Sequence, residues 1–290
     1  MAYRGGVRVT MGDLNGDGNN EIITGTGPGG GPNVRVFNVT SSGSVTMVAN
    51  FFAFEPQFTG GIYVAAGNLN GDVSSGSGTS IADLIVSAGP GGGPRVIAYA
   101  GGANYVNLNN QLCDYFVYAP TFTGGVSVAA GNVVGAANST DEIITGAGPG
   151  GGPHVRAFQL SNTNTPNSVL EYMAFDPALR NGIFVGAGDL DADGYDEIFA
   201  STNSSSSLPT MVNVRYGNGN QAIVYPFGEF TGGATVGVAK DSNNQYMVVG
   251  AGPGGGPLVQ IYNRNLIATD SLFAFPLNFT GGVFVNTSIS

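Results

Sequence analysis

The stretch DLNGDGNNEIITGTGPGGGPNVRVF, residues 13–37, joins an acidic turn, a short apolar strand, a glycine–proline turn and a second apolar strand. Its GPGGGP segment recurs, beginning at Gly27, Gly89, Gly148 and Gly252. A second marker, FTGG, begins at Phe58, Phe122, Phe230 and Phe279, with LRNG at residues 179–182 and YRGG at residues 3–6 as altered copies. Recurrence at a period of about 55 residues predicts five repeats of one supersecondary unit.

Each repeat contains four short strand patterns, which are rich in Val, Ile, Phe and Tyr and are bounded by Gly, Asn and Pro. No segment has a sustained helical period. Four short strands repeated five times are typical of a β-propeller. Because one blade cannot bury both of its faces alone, we expect the blades to close into a ring. The sequence therefore predicts an all-β, five-bladed β-propeller with four antiparallel strands per blade, forming a single domain over residues 1–290.

The composition limits the partners and the compartment. Hydrophobic residues are 42% of the 290 residues and charged residues 10%, which is typical of a globular chain. The formal net charge of −10 disfavours nucleic acid and anionic membranes as partners. No apolar run reaches the ~20 residues that a membrane-spanning helix needs, so we expect no membrane insertion. The single cysteine, Cys113, excludes an internal disulfide framework, and the first residues carry no signal-peptide pattern.

Two acidic turns have the residue pattern of calcium loops. In the first, Asp13, Asn15 and Asp17 stand at the first, third and fifth positions, Asn19 offers a backbone carbonyl, and Glu21 follows. The same positions of the second turn hold Asp189, Asp191, Asp193, Tyr195 and Glu197. Alternating oxygen ligands around a turn suit Ca²⁺, which takes about 6–8 oxygens. The alternative is that Asp, Asn and Gly simply favour turns. We predict Ca²⁺ at both sites.

The corresponding turns of the other three blades are less complete. The second blade keeps Asn68, Asn70, Asp72 and Asp83 but inserts a Ser/Gly stretch. The third keeps only Asn132 before Asp141, and the fifth places Lys240 in the turn. We therefore predict no calcium in blades three and five and at most weak binding in blade two.

GGVSVAAGN, GDLNGDGNNEIITGTGPGGGP and GAGDLDADGYDEIF together resemble FG-GAP (VCBS-type) repeats, the propeller blades of integrin α-chain heads and of many bacterial surface proteins. The resemblance covers nearly the whole chain. It implies calcium-stabilised blades and favours an extracellular, cell-surface or virion-associated location.

The sequence offers no evident catalytic constellation. His154 is the only histidine, and the carboxylates of Asp114, Asp176 and Glu229 stand singly, whereas glycosidase chemistry needs a positioned pair. We therefore expect no enzyme but a non-catalytic adhesion, protein-interaction or surface/capsid structural module with a protein or glycan ligand. The alternative is a carbohydrate-binding, lectin-like propeller with repeated shallow sites. The FTGG phenylalanines are expected to pack between blades, with a sugar-stacking platform as the less favoured role.

The strand count leaves one inner strand over. GGVRVTMGD opens the chain and GGVFVNTSIS ends it, and both have the pattern of an innermost strand. Because an unpaired apolar strand is prone to aggregate, we expect residues 281–290 to dock beside the first blade as a clasp between the chain ends, or to pair with a neighbouring molecule.

Overall fold

The computed structural model describes residues 3–40, 42–135, 140–161, 166–241 and 244–286. These residues form five four-stranded antiparallel sheets and no helix, so the predicted all-β propeller of five four-stranded blades is confirmed. Each sheet takes its strands in chain order, from the innermost to the outermost. Within the described residues, no helix is long and apolar enough to cross a membrane.

The strand bounds repeat from blade to blade. Blade one contains β1 (Val7–Gly12), β2 (Glu21–Thr26), β3 (Asn33–Val39) and β4 (Val45–Phe52). Blade two contains β5 (Ile62–Gly67), β6 (Asp83–Ala88), β7 (Arg95–Tyr99) and β8 (Gln111–Phe116). Blade three contains β9 (Val126–Gly131), β10 (Glu142–Ala147), β11 (His154–Leu160) and β12 (Pro166–Met173). Blade four contains β13 (Ile183–Gly188), β14 (Glu197–Thr202), β15 (Val212–Arg215) and β16 (Gln221–Val224). Blade five contains β17 (Ala234–Lys240), β18 (Gln245–Ala251), β19 (Leu258–Tyr262) and β20 (Ala268–Phe273).

The hydrophobic core lies between successive blades, because both faces of each inner sheet are apolar. A small residue in the second strand admits the inner strand of the following blade. A Cβ atom on Gly146 would lie 2.9 Å from Cγ1 of Val185 and 3.1 Å from Cγ1 of Ile183. The glycine thus brings two blades to a distance that a side chain would prevent.

The glycine–proline turns hold each blade to the next. The amide of Gly29 donates a hydrogen bond to the carbonyl of Thr59 at 2.8 Å, and the amide of Gly91 donates to Thr123 at 2.8 Å. Gly61, with φ +75°, approaches so closely that a Cβ atom would lie 2.5 Å from the backbone carbon of Gly27. The two repeated motifs are therefore the two halves of one junction between blades.

The C-terminal segment, residues 281–286, lies against blade five. The Thr235 hydroxyl donates to the Val283 carbonyl at 2.9 Å, and the Val283 amide donates to the Ala251 carbonyl at 2.8 Å. The ring of Phe284 lies 5.5 Å from the guanidinium carbon of Arg8 in blade one. The segment therefore packs mainly on blade five and contacts blade one through the Phe284 ring, and a clasp between the chain ends stays a prediction. Residues 287–290 of the predicted tail lie outside the described residues.

Candidate functional site

The acidic turn of blade four gathers three carboxylates. It connects β13 with β14, and carboxylate oxygens of Asp189, Asp191 and Glu197 lie within 4.8 Å of one another, an arrangement that could hold a metal ion. The Asp193 carboxylate instead accepts the amide hydrogen of Tyr195 at 2.9 Å and so closes the turn. A surface cavity of about 880 Å³ is lined by Leu190 and Ala192 of the same turn, but the three carboxylates do not line it.

Glu197 is the buried member of this cluster. Its side chain is fully buried, its Oε2 accepts the amide hydrogen of Leu190 at 2.6 Å, and its Oε1 has no hydrogen-bond partner. Burial raises the pKa of Glu197 to about 8, and the charges of Asp191 and Asp189 raise the pKa further in the same direction. A cation would supply the missing partner of Oε1 and offset the repulsion among the three carboxylates. The donor set therefore fits a hard divalent cation.

The acidic turn of blade one is ordered by its own hydrogen bonds. Asp13 accepts the amide hydrogens of Gly16 at 2.7 Å and Gly18 at 2.8 Å, and Asp17 accepts that of Asn19 at 2.8 Å. The Asn15 amide group donates to Asp17 at 3.1 Å.

Glu21 repeats the position of Glu197. Its Oε2 accepts the amide hydrogen of Leu14 at 2.9 Å, and its buried Oε1 has no partner. Burial raises the pKa of Glu21 to about 7. Among the described residues, however, only the turn of blade four brings three carboxylates within 4.8 Å of one another. The two predicted sites thus differ in how closely their carboxylates lie to one another.

A buried acid begins the second strand of four blades, and sequence reasoning missed its common role. Glu21, Asp83, Glu142 and Glu197 are all fully buried. Asp83 accepts the amide hydrogen of Leu69 at 2.9 Å, and Glu142 accepts that of Val133 at 2.9 Å. Blade three lacks the loop acids but keeps this acid. The role that the four acids share is therefore to accept a backbone amide hydrogen and so hold the loop in place. The repeated acid at this one position was the signal in the sequence.

The acids of blades two and three differ in how completely they are satisfied. The second oxygen of Asp83 accepts the amide hydrogen of Gly101 at 3.0 Å, so both oxygens have partners. Oε1 of Glu142 has none.

A second set of repeated features lies on the outer rim, where the third and fourth strands of each blade pair. The outermost position is occupied by exposed apolar side chains at Phe52, Phe116, Met173, Tyr225 and Phe273. In blade one, Phe52 borders a concavity of about 540 Å³, which is also lined by Asn33, Arg35 and Asn50. An apolar ring thus lies beside several hydrogen-bonding groups.

A similar groove lies at the junction of blades three and four. It has a volume of about 500 Å³ and is lined by Asp176, Asn213, Gln221 and Tyr225, among others. The Tyr225 ring is 56% exposed. The Asn213 amide group donates to Gln221 Oε1 at 2.9 Å, while Asn213 Oδ1 has no partner. This groove combines an open aromatic surface with polar groups at its floor.

Ion pairs fill the corresponding surfaces of blades two and three. Arg95 contacts Asp114 at 2.7 Å, and Arg156 contacts Glu171 at 3.4 Å. The imidazole of His154 lies 3.8 Å from Glu171, and burial lowers the pKa of His154. The rim surfaces are therefore repeated in position but not in chemistry.

Among the FTGG phenylalanines, Phe58 and Phe122 pack at junctions between blades, whereas Phe279 is exposed. Phe58 contacts Phe54 edge to face, with ring centroids 6.2 Å apart, and Phe122 contacts Tyr118 in the same way at 6.0 Å. Atoms of the Phe58 ring also lie 3.0 Å from the position of a Cβ atom on Gly92. Exposed aromatic residues lie at the rim, and also at Tyr3, Phe275, Phe279 and Phe284.

The sequence matches no protein-family profile and no curated protein. Solved structures that resemble the chain are the exotype rhamnogalacturonan lyase YesX, with 10% identity and a TM-score of 0.44, and rhamnogalacturonan lyase YesW, with 11% and 0.43. A rhamnogalacturonan lyase from Bacillus licheniformis matches with 12% identity and a TM-score of 0.47. Each match covers 91% of this chain, which spans only 56–57% of the length of those structures.

These matches correct one expectation. The sequence predicts a non-catalytic adhesion, protein-interaction or surface/capsid module rather than an enzyme. The structures found are those of lyases, enzymes named for a carbohydrate, and they give the non-catalytic interpretation no support. With identities of 10–12%, the likeness assigns neither a substrate nor a reaction to this chain.

Proposed function

We propose that the protein is a carbohydrate-binding propeller, in which grooves on the outer rim bind a glycan chain. The observation that carries this proposal is the groove at the junction of blades three and four. Its volume of about 500 Å³ lies within the range of small-ligand sites, about 300–1,000 Å³. The apolar face of a sugar ring packs well on an exposed aromatic ring such as that of Tyr225, because both surfaces leave water on contact.

The polar groups of the groove suit sugar hydroxyls. Asn213 and Gln221 offer both donors and acceptors, and Asp176 offers acceptors. The groove of blade one presents the same kinds of group beside Phe52. Two grooves on one rim favour a polymer over a single sugar, since linked sites gain affinity from effective concentration.

The test is binding to a panel of soluble polysaccharides, including rhamnogalacturonan, measured by calorimetry. We expect Tyr225→Ala to weaken binding about 10-fold or more, as loss of a buried aromatic contact does. Ile267→Ala is the matched control, because Ile267 is a comparably exposed apolar side chain, 59% accessible, that lines neither groove. Equal affinity of the two variants, or no binding to any glycan, would refute the proposal. Following the length of the bound glycan over time shows whether cleavage accompanies binding.

We also propose that the acidic turns bind Ca²⁺, in keeping with their resemblance to FG-GAP loops. In blade four, the ligands would be Asp189, Asp191, Asp193 and Glu197 with the backbone of Tyr195. In blade one, they would be Asp13, Asn15, Asp17 and Glu21 with the backbone of Asn19. The gathered carboxylates of blade four support the assignment, and the unpartnered Oε1 atoms of Glu197 and Glu21 offer a ligand; Glu142 Oε1 is also unpartnered, but its turn lacks the other acids. The ion would brace the hairpin between the first two strands and so stabilise the folded state.

Calcium titration tests this assignment. We expect tighter binding in blade four than in blade one, because only the turn of blade four has its carboxylates gathered. Asp191→Asn should abolish the tighter site, whereas Glu229→Gln, at an exposed residue outside both acidic turns, should leave both sites unchanged. Two sites of equal affinity, or binding that survives Asp191→Asn, would contradict the assignment.

A further inference from the structure

The three junctions between blades one, two, three and four share one backbone link. In each of blades two, three and four, the residue before the buried acid donates its amide hydrogen to a carbonyl of the preceding blade. The three bonds are Ala82 to Asp13 at 2.8 Å, Asp141 to Asn68 at 2.8 Å and Asp196 to Asn132 at 2.9 Å. Each acidic turn is thereby fastened to the blade that follows it.

The first hairpin of blade five closes on itself instead. The Asp241 amide donates to the Asn244 carbonyl at 2.9 Å, and the Asn244 amide donates to Oδ1 of Asp241 at 2.8 Å. Gln245, which corresponds to Ala82 in the register of the strands, lies opposite Lys240 within this hairpin. The hairpin is therefore braced by its own residues.

The loop between β19 and β20 also differs from its counterpart in blade two. There, the Gly102 amide donates to the Leu14 carbonyl of blade one at 2.7 Å, and a Cβ atom on Gly101 would lie 2.8 Å from the same oxygen. The corresponding residues of blade five are Arg264 and Asn265. A position that has no room for a side chain in blade two thus carries an arginine in blade five.

A cavity of about 880 Å³ lies between these two loops of blade five and the acidic turn of blade four, where Leu190 and Ala192 line it. Its volume falls within the range of small-ligand sites, about 300–1,000 Å³. Tyr246 holds the position of the buried acid of the other four blades, since it pairs with Ala239 as Glu21 pairs with Gly12. Because Tyr246 and Arg264 both line the cavity, its lining is particular to blade five.

The uncharged groups of the lining suit sugar hydroxyls. Asn244, Gln245 and Asn265 each offer a side-chain amide with two donor hydrogens and an acceptor oxygen. Tyr246 adds an aromatic ring, on which the apolar side of a sugar can pack. These groups favour a polyhydroxylated ligand.

The basic residues of the lining favour an anionic group on that ligand. Arg264 and the only lysine of the chain, Lys240, line this one cavity, although the formal net charge is −10. Arg264 is exposed, its charge acts on Asp191 of blade four, and within the described ranges its guanidinium forms no hydrogen bond or salt bridge. A guanidinium binds a carboxylate or a sulfate through two parallel charge-assisted hydrogen bonds.

The two acids of the lining brace the loops themselves. Oδ2 of Asp241 accepts the Tyr246 hydroxyl hydrogen at 3.1 Å, in addition to the Asn244 amide on its Oδ1. Asp270 accepts the amide hydrogen of Ser271 at 2.7 Å. Hydrogen bonds from the protein thus engage both carboxylates.

We propose that this cavity binds an acidic sugar, whose carboxylate or sulfate group pairs with Arg264 while its hydroxyl groups bond to the side-chain amides. The cavity shares no lining residue with the two rim grooves, so this inference does not rest on the proposed function.

Titration with small sugars, followed by saturation-transfer NMR, tests the site. The probes are glucuronate, which carries a carboxylate, glucose 6-sulfate, which carries a sulfate, and glucose, which is neutral. We expect at least one acidic sugar to bind about 10-fold or more tightly than glucose, since charge-assisted hydrogen bonds are roughly twice as strong as neutral ones. The acidic sugar that binds more tightly identifies the anionic group.

The substitution Arg264→Gln removes the charge. We expect it to weaken binding of the acidic sugar about 10-fold or more and, because Arg264 is exposed, to shift Tm by less than about 1 °C. Arg4→Gln is the matched control, because Arg4 is also exposed, lines neither this cavity nor a rim groove, and changes the net charge equally. Gln245→Glu adds a negative charge to the lining and should also weaken binding of the acidic sugar.

Three outcomes would overturn the proposal: acidic sugars that bind no more tightly than glucose, equal affinities of Arg264→Gln and Arg4→Gln, or acetate or inorganic sulfate that binds as tightly as the acidic sugar. Tyr225→Ala separates this cavity from the rim. If Tyr225→Ala abolishes binding of the acidic sugar and Arg264→Gln does not, the sugar occupies the rim groove, which would refute this inference and leave the proposed function standing.

Discussion

At the scale of single residues, buried carboxylates dominate the electrostatics of the propeller. Asp141 and Glu142 are adjacent in blade three, where no calcium is predicted. Burial raises the pKa of Asp141 to about 6 and that of Glu142 to about 7. In an unfolded chain, both groups have pKa values of about 4. The folded protein thus retains protons that the unfolded chain has released.

The pH dependence of stability follows from this difference. The stabilising contribution of the two groups is fully present below about pH 4 and is lost as the pH rises through about 6–7. We expect the metal-free protein to have a higher free energy of unfolding at pH 5 than at pH 8, as measured by urea denaturation in a chelator.

Glu142→Gln isolates one group, because the amide oxygen can still accept the hydrogen bonds from Val133 and Val134. In this variant, we expect the difference in the free energy of unfolding between pH 5 and pH 8 to be smaller by about 1–3 kcal/mol, since one pKa unit corresponds to about 1.4 kcal/mol. An unchanged pH dependence would show that Glu142 titrates normally in the folded protein.

The acidic turns show where residue-level prediction from sequence succeeds and where it does not. The alternation of acids predicts that Asp189, Asp191 and Glu197 lie close together, and their carboxylate oxygens do so. It did not distinguish blade four from blade one, although blade one has Asn15 at the position of Asp191 and therefore has one carboxylate fewer. The role of Glu142 in holding its loop was missed because the repeated acid at this position was considered only as a calcium ligand.

At the scale of the elements, glycines set how closely neighbouring strands can approach. Gly186 lies in β13, and a Cβ atom there would be 2.7 Å from the carbonyl oxygen of Val236 in the neighbouring blade. Because the obstacle is backbone rather than a flexible side chain, we expect Gly186→Ala to reduce the free energy of unfolding by about 1–3 kcal/mol.

Gly76→Ala is the matched control for this prediction. A Cβ atom on Gly76, in the Ser/Gly stretch of blade two, would meet nothing within 4 Å. The change should therefore be neutral or should stabilise by up to about 1 kcal/mol through the unfolded state. Equal effects of the two substitutions in chemical denaturation would show that close approach between blades is not what requires glycine.

The strands themselves were readable from the sequence because their apolar residues alternate with turn signals at a fixed period. The rim grooves were not. Asn213 and Gln221 belong to different strands, and Asp176 belongs to the preceding blade, so their meeting depends on strand register and on the angle between blades. A local sequence pattern predicts neither the strand register nor the angle between blades.

At the scale of the whole molecule, the C-terminal segment stabilises the end of the propeller. Val283 is only 6% exposed and packs on blade five. We expect Val283→Ala to reduce the free energy of unfolding by about 1–3 kcal/mol, as truncation of a buried aliphatic side chain does. The control Val45→Ala, at a side chain that is 59% exposed, should have an effect within about 0.5 kcal/mol. The same loss in both variants, measured by thermal denaturation, would indicate that the segment contributes no packing.

The number of blades could be counted from the repeats, but the uncovered faces could not be predicted. Val7 follows two glycines, as Ile62 does, yet Val7 is 53% exposed whereas Ile62 is buried against Gly25 of the preceding blade. Whether a repeated apolar position is buried is decided by what lies next to it in three dimensions.

In the described part of the chain, each blade is built from four consecutive strands and no sheet joins blade one to blade five. The blades therefore form a linear series of nearest-neighbour units, with two terminal members that each lack one neighbour. In native-state hydrogen exchange, such a series opens from its ends. Backbone amides of β10 in blade three should exchange more slowly than those of β2 in blade one or β18 in blade five, because opening the middle of the series breaks contacts on both sides.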